Sequence, residues 1–185
     1  MKRTFIAVKV DAGKDIAGLI DNIKSDLKDD QVRWVDKTKM HITLAFIGDT
    51  SENTIRDISL MLKGICSAKD EFEFEISGLG LFRNINDPRV IWAGINDQGN
   101  LKALFSTIRS GLEQLGIQPE EREFKPHLTL ARIKRLKDKK TLEKYLADHT
   151  HTRFQKVRVK EVIYFESILQ QTGPLYLPIK VFRLS

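Results

Sequence analysis

Met40-His41-Ile42-Thr43-Leu44-Ala45-Phe46-Ile47-Gly48 has a near-copy later in the chain, Pro126-His127-Leu128-Thr129-Leu130-Ala131-Arg132. Each copy reads His-x-Thr-Leu-Ala within a short apolar run bounded by polar or turn-forming residues, the pattern of a β-strand rather than a helix. Side chains alternate along a strand. His41 and Thr43 therefore share one face and Ile42 and Leu44 the other, and His127 and Thr129 stand in the same relation to Leu128 and Leu130. One such frame alone is ordinary strand sequence, with its histidine a satisfied core or edge residue. The chain has only 4 histidines, however, and two of them occupy matching frames in chain halves of similar length. That pairing points to a duplicated unit with a function.

The chemistry of the paired groups narrows the function. Imidazole titrates near neutral pH, so one histidine can hold a proton while the other accepts one. A threonine two residues further along offers a hydroxyl donor to an oxyanion, such as a phosphoryl oxygen. Two histidines and two threonines make a phosphate site that needs neither metal nor cofactor. Such a site suits the opening of a cyclic phosphodiester, in which a base activates water and an acid protonates the departing ribose oxygen.

The sequence resembles the two-histidine phosphoesterases, and within them the RNA 2',3'-cyclic phosphodiesterases once described as 2'-5' RNA ligases. The paired His-x-Thr motifs carry the resemblance. It extends to Val32-Arg33-Trp34-Val35, Pro88-Arg89-Val90-Ile91-Trp92-Ala93-Gly94, Phe124-Lys125-Pro126 and Gly173-Pro174-Leu175-Tyr176, and so covers nearly the whole chain. It implies an RNA substrate ending in a 2',3'-cyclic phosphate, tRNA fragments among the candidates. It also implies His41 as proton donor, His127 as proton acceptor, and Thr43 and Thr129 as ligands of the phosphoryl oxygens; the order of acid and base rests on the resemblance alone. An arginine at the place of Arg132 contacts the substrate phosphate in this family. Arg83 stands where the family pattern leads one to expect proline, and Phe165-Glu166-Ser167 where relatives carry a Ser- and Leu-rich approach to the Gly-Pro-x-Tyr turn.

Two residues keep two readings each. Arg132 lies five positions after His127, so a regular strand would turn it away from the His-Thr face into a solvent salt bridge, and only a twist or bulge would bring it to phosphate. Phe46 holds the equivalent place in the first copy, where it either packs in the core or stacks on a base. Trp34 likewise suits the core or the cleft.

Composition sets the outer limits. With 185 residues, 41% hydrophobic and 30% charged, residues 1–185 suit one two-lobed domain with a sizeable core. The apolar run after Met1-Lys2-Arg3 is too short for a signal peptide and nothing approaches a membrane span, so a cytoplasmic monomer is expected. The single Cys66, on the apolar side of a predicted helix, excludes an internal disulfide and argues against a thiol nucleophile or zinc cluster. A net charge of +6, with a basic run from Arg132 to Lys140, favours a polyanionic partner. Competing functions are a 2'-5' RNA ligase acting on tRNA halves and a non-catalytic RNA-binding module; a nucleotide-dependent enzyme is disfavoured, as no G-x-x-x-x-G-K-[ST] loop is present.

In chain order, the pattern predicts a strand over Arg3 to Val10, then a helix with Ile16, Leu19, Ile20, Ile23 and Leu27 inward. A short strand, Val32 to Val35, leads to the first motif. A second helix follows, capped from Asp49, Thr50 or Ser51, and then a hairpin of Glu71–Phe82 and Arg89–Ile95. A third helix runs from Leu101 to a Gly116 cap, an acidic loop spans Pro119 to Glu123, and Asp138 caps a fourth helix after the second motif. Two strands close the chain, Arg153–Ile168, long enough to be broken, and Leu175–Leu184. The result is an α+β fold of two pseudo-symmetric lobes, each motif strand central in its sheet, facing each other across a cleft. His149-Thr150-His151-Thr152 imitates a site but follows a helix, where histidine can meet the last carbonyls, and it lacks the apolar strand.

Overall fold

The computed structural model describes residues 1–118, 123–171 and 173–185; most of the predicted acidic loop lies outside them. Nine strands and four helices follow in the order β1 (Lys2–Lys9), α1 (Lys14–Asp26), β2 (Gln31–Trp34), β3 (His41–Thr50), α2 (Glu52–Ser67), β4 (Phe72–Phe82), β5 (Val90–Asn96), α3 (Asn100–Gln114), β6 (His127–Arg135), α4 (Lys139–Asp148), β7 (Arg153–Val159), β8 (Glu161–Gln170) and β9 (Gly173–Arg183). The strands form two antiparallel sheets, ordered β3-β1-β8-β9 and β2-β6-β5-β4-β7. This is the expected α+β architecture of two lobes, one motif strand in each.

Local sequence accounts for the element ends. Ser51 is the cap that α2 uses, its hydroxyl accepting from the Thr54 N–H, and Asp138 does the same for α4 through Thr141. Helix α3 ends at Gln114 with Leu115 as its C-cap, and Gly116 closes it from the next position in the left-handed conformation, φ +73. His149 is the C-cap of α4, its N–H donating to the Tyr145 carbonyl, so the His-Thr-His-Thr run ends a helix as expected. Arg83 takes φ +64, which a proline ring cannot adopt, so this course of the β4–β5 turn excludes the proline that the resemblance led one to expect.

The halves are interlocked rather than merely apposed. The long predicted strand breaks at Lys160, and β7 joins the second sheet while β8 and β9 complete the first. In turn β2, from the first half of the chain, pairs with β6 in the second sheet. Helices cross over in the same way: α1 and α4 pack on β7 and β4, whereas α2 and α3 pack on β8, β9 and β3. The core spans both lobes, with Ile16, Ile20 and Ile23 of α1, Ile58 and Leu62 of α2, and Ile76, Ile91, Leu128 and Leu130 of the second sheet all buried. One expectation is corrected. β6 is interior, but β3 is an edge strand, because β8 and β9 add on the far side of β1 and the short turn after β2 delivers that strand to the other lobe.

Sheet contacts next to the second motif leave no room for added atoms. Gly94 pairs with His127 on one side and Ser77 on the other, and a Cβ at Gly94 would lie 2.6 Å from the Ser77 carbonyl oxygen. Backbone must shift to admit it. Gly94→Ala should therefore cost roughly 1–3 kcal/mol, the usual range for overpacking, read as a lowered midpoint in urea denaturation with an unchanged slope.

Candidate functional site

The two histidines, the two threonines and Arg132 line one cavity of about 330 Å³ between the lobes, with Trp34, Lys39 and Tyr176 among its walls. Trp34 thus serves both readings, packing against the core on one side and lining the cavity on the other. A larger hollow of about 650 Å³ lies over β4 and β7, but its rim holds Glu71–Arg158 and Glu75–Arg153 ion pairs, so its charges largely satisfy each other.

Both histidines are held in the same way. Nδ1 of His41 lies 2.8 Å from the Lys39 carbonyl oxygen and Nδ1 of His127 lies 2.7 Å from that of Lys125, two residues upstream in each case. A carbonyl can only accept, so the proton sits on Nδ1 and the neutral ring is left with Nε2 as its basic atom. Rings close the other sides. His41 packs between Phe5 and Tyr176, each with its centroid 5.2 Å away, and Phe82 meets His127 edge-on at 4.7 Å. These contacts were not read from the sequence, although a lysine two positions before each histidine was visible in both copies.

The parity problem at Arg132 is resolved by a bulge. In the pairing of β6 with β5, Thr129 faces Trp92 and Ala131 faces Ile91, which leaves Leu130 without a partner. Leu130 and Ala131 are consequently both buried, and Arg132 returns to the face of His127 and Thr129. β3 repeats the device. Thr43 faces Ala7 and Ala45 faces Ile6, so Leu44 is the unpaired residue, and Phe46 turns to the cleft side instead of the core. There the Arg3 guanidinium lies 4.9 Å from the Phe46 ring centre. Arg132 and Phe46 therefore both line the cleft.

Cations outnumber carboxylates in the cavity wall: Arg33, Lys39 and Arg132 line it with Asp36, whose carboxylate accepts from the backbone N–H and the hydroxyl of Thr38. Arg33 lies directly across from Arg132 in the β2–β6 pairing and lines the same cavity, and neither has a carboxylate partner among the described residues. Sequence reading gave Arg33 no role. Burial pushes both imidazoles below the ordinary histidine range; the carbonyl hydrogen bonds act against this, and Arg132 lowers both further, joined at His41 by His127. Burial also drives the Cys66 thiol up to about 11, consistent with a packing role. Among the described residues no group of three His, Cys, Asp or Glu side chains could hold a metal ion, and no helix is long and apolar enough to cross a membrane.

Because Arg132 disfavours the charged form of both rings, Arg132→Gln should raise both titration midpoints. The change is readable by NMR titration of the imidazole resonances of His41 and His127, and unmoved midpoints would show that the guanidinium does not act on the rings.

Comparison with known proteins agrees with this fold. The family model described as LigT like Phosphoesterase matches residues 6–92 and 94–176. A protein named RNA 2',3'-cyclic phosphodiesterase from Methanothermobacter thermautotrophicus is 32% identical over 184 residues, covering 98% of each chain. One of the same name from Thermotoga maritima is 32% identical over 176 residues, covering 94% of this chain and 91% of its own. The crystal structure of TT0787 of Thermus thermophilus superposes with a TM-score of 0.79 at 25% identity, covering 98% of this chain and 97% of its own. The E. coli LigT structure complexed with 3'-AMP superposes with a TM-score of 0.73 at 21% identity over 100% of this chain and 98% of its own, a likeness of fold.

Proposed function

The chain belongs to the LigT-like phosphoesterase family, and from that membership together with its paired frames we propose that it hydrolyses RNA 2',3'-cyclic phosphate ends to 2'-phosphomonoesters without a metal ion. The observation that carries the reading is the matched anchoring of two imidazoles by upstream carbonyls in one cation-lined cavity. Each ring is fixed in one tautomer with one nitrogen left for chemistry, the arrangement that concerted acid–base catalysis requires.

In the proposed reaction His127 takes a proton from water as the water oxygen attacks phosphorus. The bond from phosphorus to the ribose 3'-oxygen breaks, and His41 gives its proton to that oxygen. The 2'-phosphate remains. His127 ends protonated and His41 neutral, and proton exchange with solvent restores the starting state. Thr43 and Thr129 donate hydroxyl hydrogen bonds to the non-bridging oxygens, while Arg132 offsets the charge that gathers on them. The excess of cations serves the same end: an anionic phosphate between the rings counters Arg132 and makes it easier for one imidazole to hold the proton that the acid step needs.

The test is incubation with an RNA ending in a 2',3'-cyclic phosphate in the presence of EDTA, with separation of 2'- from 3'-phosphate products. The wild-type protein should give the 2'-phosphate, and His41→Ala and His127→Ala should each lose about 10²- to 10⁴-fold in rate, the usual contribution of one general acid or base. Full activity in His41→Ala would overturn the scheme. Joining of RNA ends in excess of hydrolysis would transfer the site to a ligase, and binding without turnover to an RNA-binding module.

A further inference from the structure

The catalytic cavity adjoins a second chamber of about 460 Å³, with Thr43, His127 and Arg132 lining both. The two chambers differ at their outer ends. On the first, the β8–β9 hairpin reaches over from the other lobe: the Lys39 ammonium donates to the Pro174 carbonyl at 3.3 Å, and Arg33 packs on Gly173 so closely that a Cβ there would lie 2.9 Å from the guanidinium. Gly173 also has φ +133, a conformation that resists side chains, so the tip can follow no simpler course. A chamber covered in this way suits the end of a strand. The remainder of an RNA must leave by the other side.

The second chamber is furnished for nucleotides. Phe46 is turned into it by the Leu44 bulge, and Phe105 and Phe124 form a parallel stack, centres 4.2 Å apart and planes within 9°, along its wall. Aromatic faces of this kind accept any base, each stack being worth about 1–3 kcal/mol. Cations border them. Arg109 and Lys125 are paired with Glu113 and Glu123, whereas Arg3 has no carboxylate partner among the described residues and is held over the Phe46 ring. Asp49 faces Arg3 across the β1–β3 ladder without forming an ion pair with it, so the exposed guanidinium, seated on a ring, is open to a phosphate.

We propose that the second chamber binds the nucleotide preceding the cyclic-phosphate end, with Phe46 and the Phe105–Phe124 stack against its base and Arg3 on the phosphate that joins it to the terminal residue. This rests on the hydrolytic reading above. It makes the protein an enzyme of RNA ends in preference to free cyclic nucleotides, since a cyclic mononucleotide fills only the covered chamber.

The experiment compares kcat/KM for a 2',3'-cyclic mononucleotide and for a short RNA ending in the same cyclic nucleotide, in wild-type and Arg3→Gln proteins of matched thermal stability. The wild type should favour the oligomer by at least about tenfold, the worth of one stacked base. Arg3→Gln should remove most of that preference through KM on the oligomer and flatten its salt dependence by about one counter-ion, the mark of one lost phosphate contact. Equal efficiency on the two substrates in the wild type, or an undiminished preference in Arg3→Gln, would overturn the proposal. Should neither substrate be turned over, it is the hydrolytic reading that has failed, and fluorescence anisotropy with the same RNA decides the chamber. A tenfold weaker affinity in Arg3→Gln would uphold it and an unchanged affinity would overturn it.

Discussion

A strand that pairs residue for residue alternates its side chains, so a residue five places after a cleft-facing histidine would be committed to the core. The unpaired Leu44 and Leu130 break that commitment at equivalent points of β3 and β6. Each bulge buries two consecutive residues, Leu44-Ala45 and Leu130-Ala131, and returns the next one to the cleft. Without it, Arg132 would place a guanidinium among apolar side chains at a cost no partner there could offset. The local ladder gives up one regular pairing in each sheet, and the site gains a cation on one lobe and an aromatic ring on the other. Two-fold likeness of backbone thus yields unlike chemistry.

Electrostatics in the cavity follow from that placement. Burial first, and Arg132 with it, disfavour the protonated form of both imidazoles, joined at His41 by His127. The carbonyls of Lys39 and Lys125 act in the opposite sense, favouring the charged ring, so each histidine sits between a backbone that would protonate it and surroundings that would not. The net direction is downward for both rings, so the neutral form is the favoured one in the cleft.

How much of this was legible in the sequence can be judged residue by residue. His41, Thr43, His127 and Thr129 were readable because strand alternation is a two-residue rule that needs no partner, and the repeat singled them out from ordinary strand sequence. Helix caps such as Ser51 and Asp138 were readable for the same reason, their chemistry being local. The direction of Arg132 and Phe46 was not, since a bulge is a property of two strands and declares itself only in the pairing. Arg33, Phe5, Phe82 and Tyr176 were missed for a related reason: they come from four different strands and meet the histidines only once both sheets have formed. Sequence symmetry also misled once, because two equal motifs suggested two equal sheet positions, whereas the crossing of β2 and the return of β8 and β9 leave β3 at an edge.

That crossing also bears on the chemistry. Had each half of the chain folded into its own lobe, the spacing of the two histidines would depend on a hinge, and relative motion would be the default. Here β2 and α1 are built into the lobe of the second motif, while β8, β9 and α3 belong to the lobe of the first. To part the lobes, the four crossings that the strands make between the sheets, β1 to β2, β2 to β3, β3 to β4 and β7 to β8, would have to move together, and the Arg33 and Lys39 contacts to Gly173 and Pro174 would have to break as well. The acid–base scheme proposed for the two histidines would tolerate little error in their separation, because misplacement by about 1 Å can cost 10²-fold in rate. Interlocking the halves supplies that constancy through the core instead of through the cleft, and so leaves the cleft free to be lined with charge.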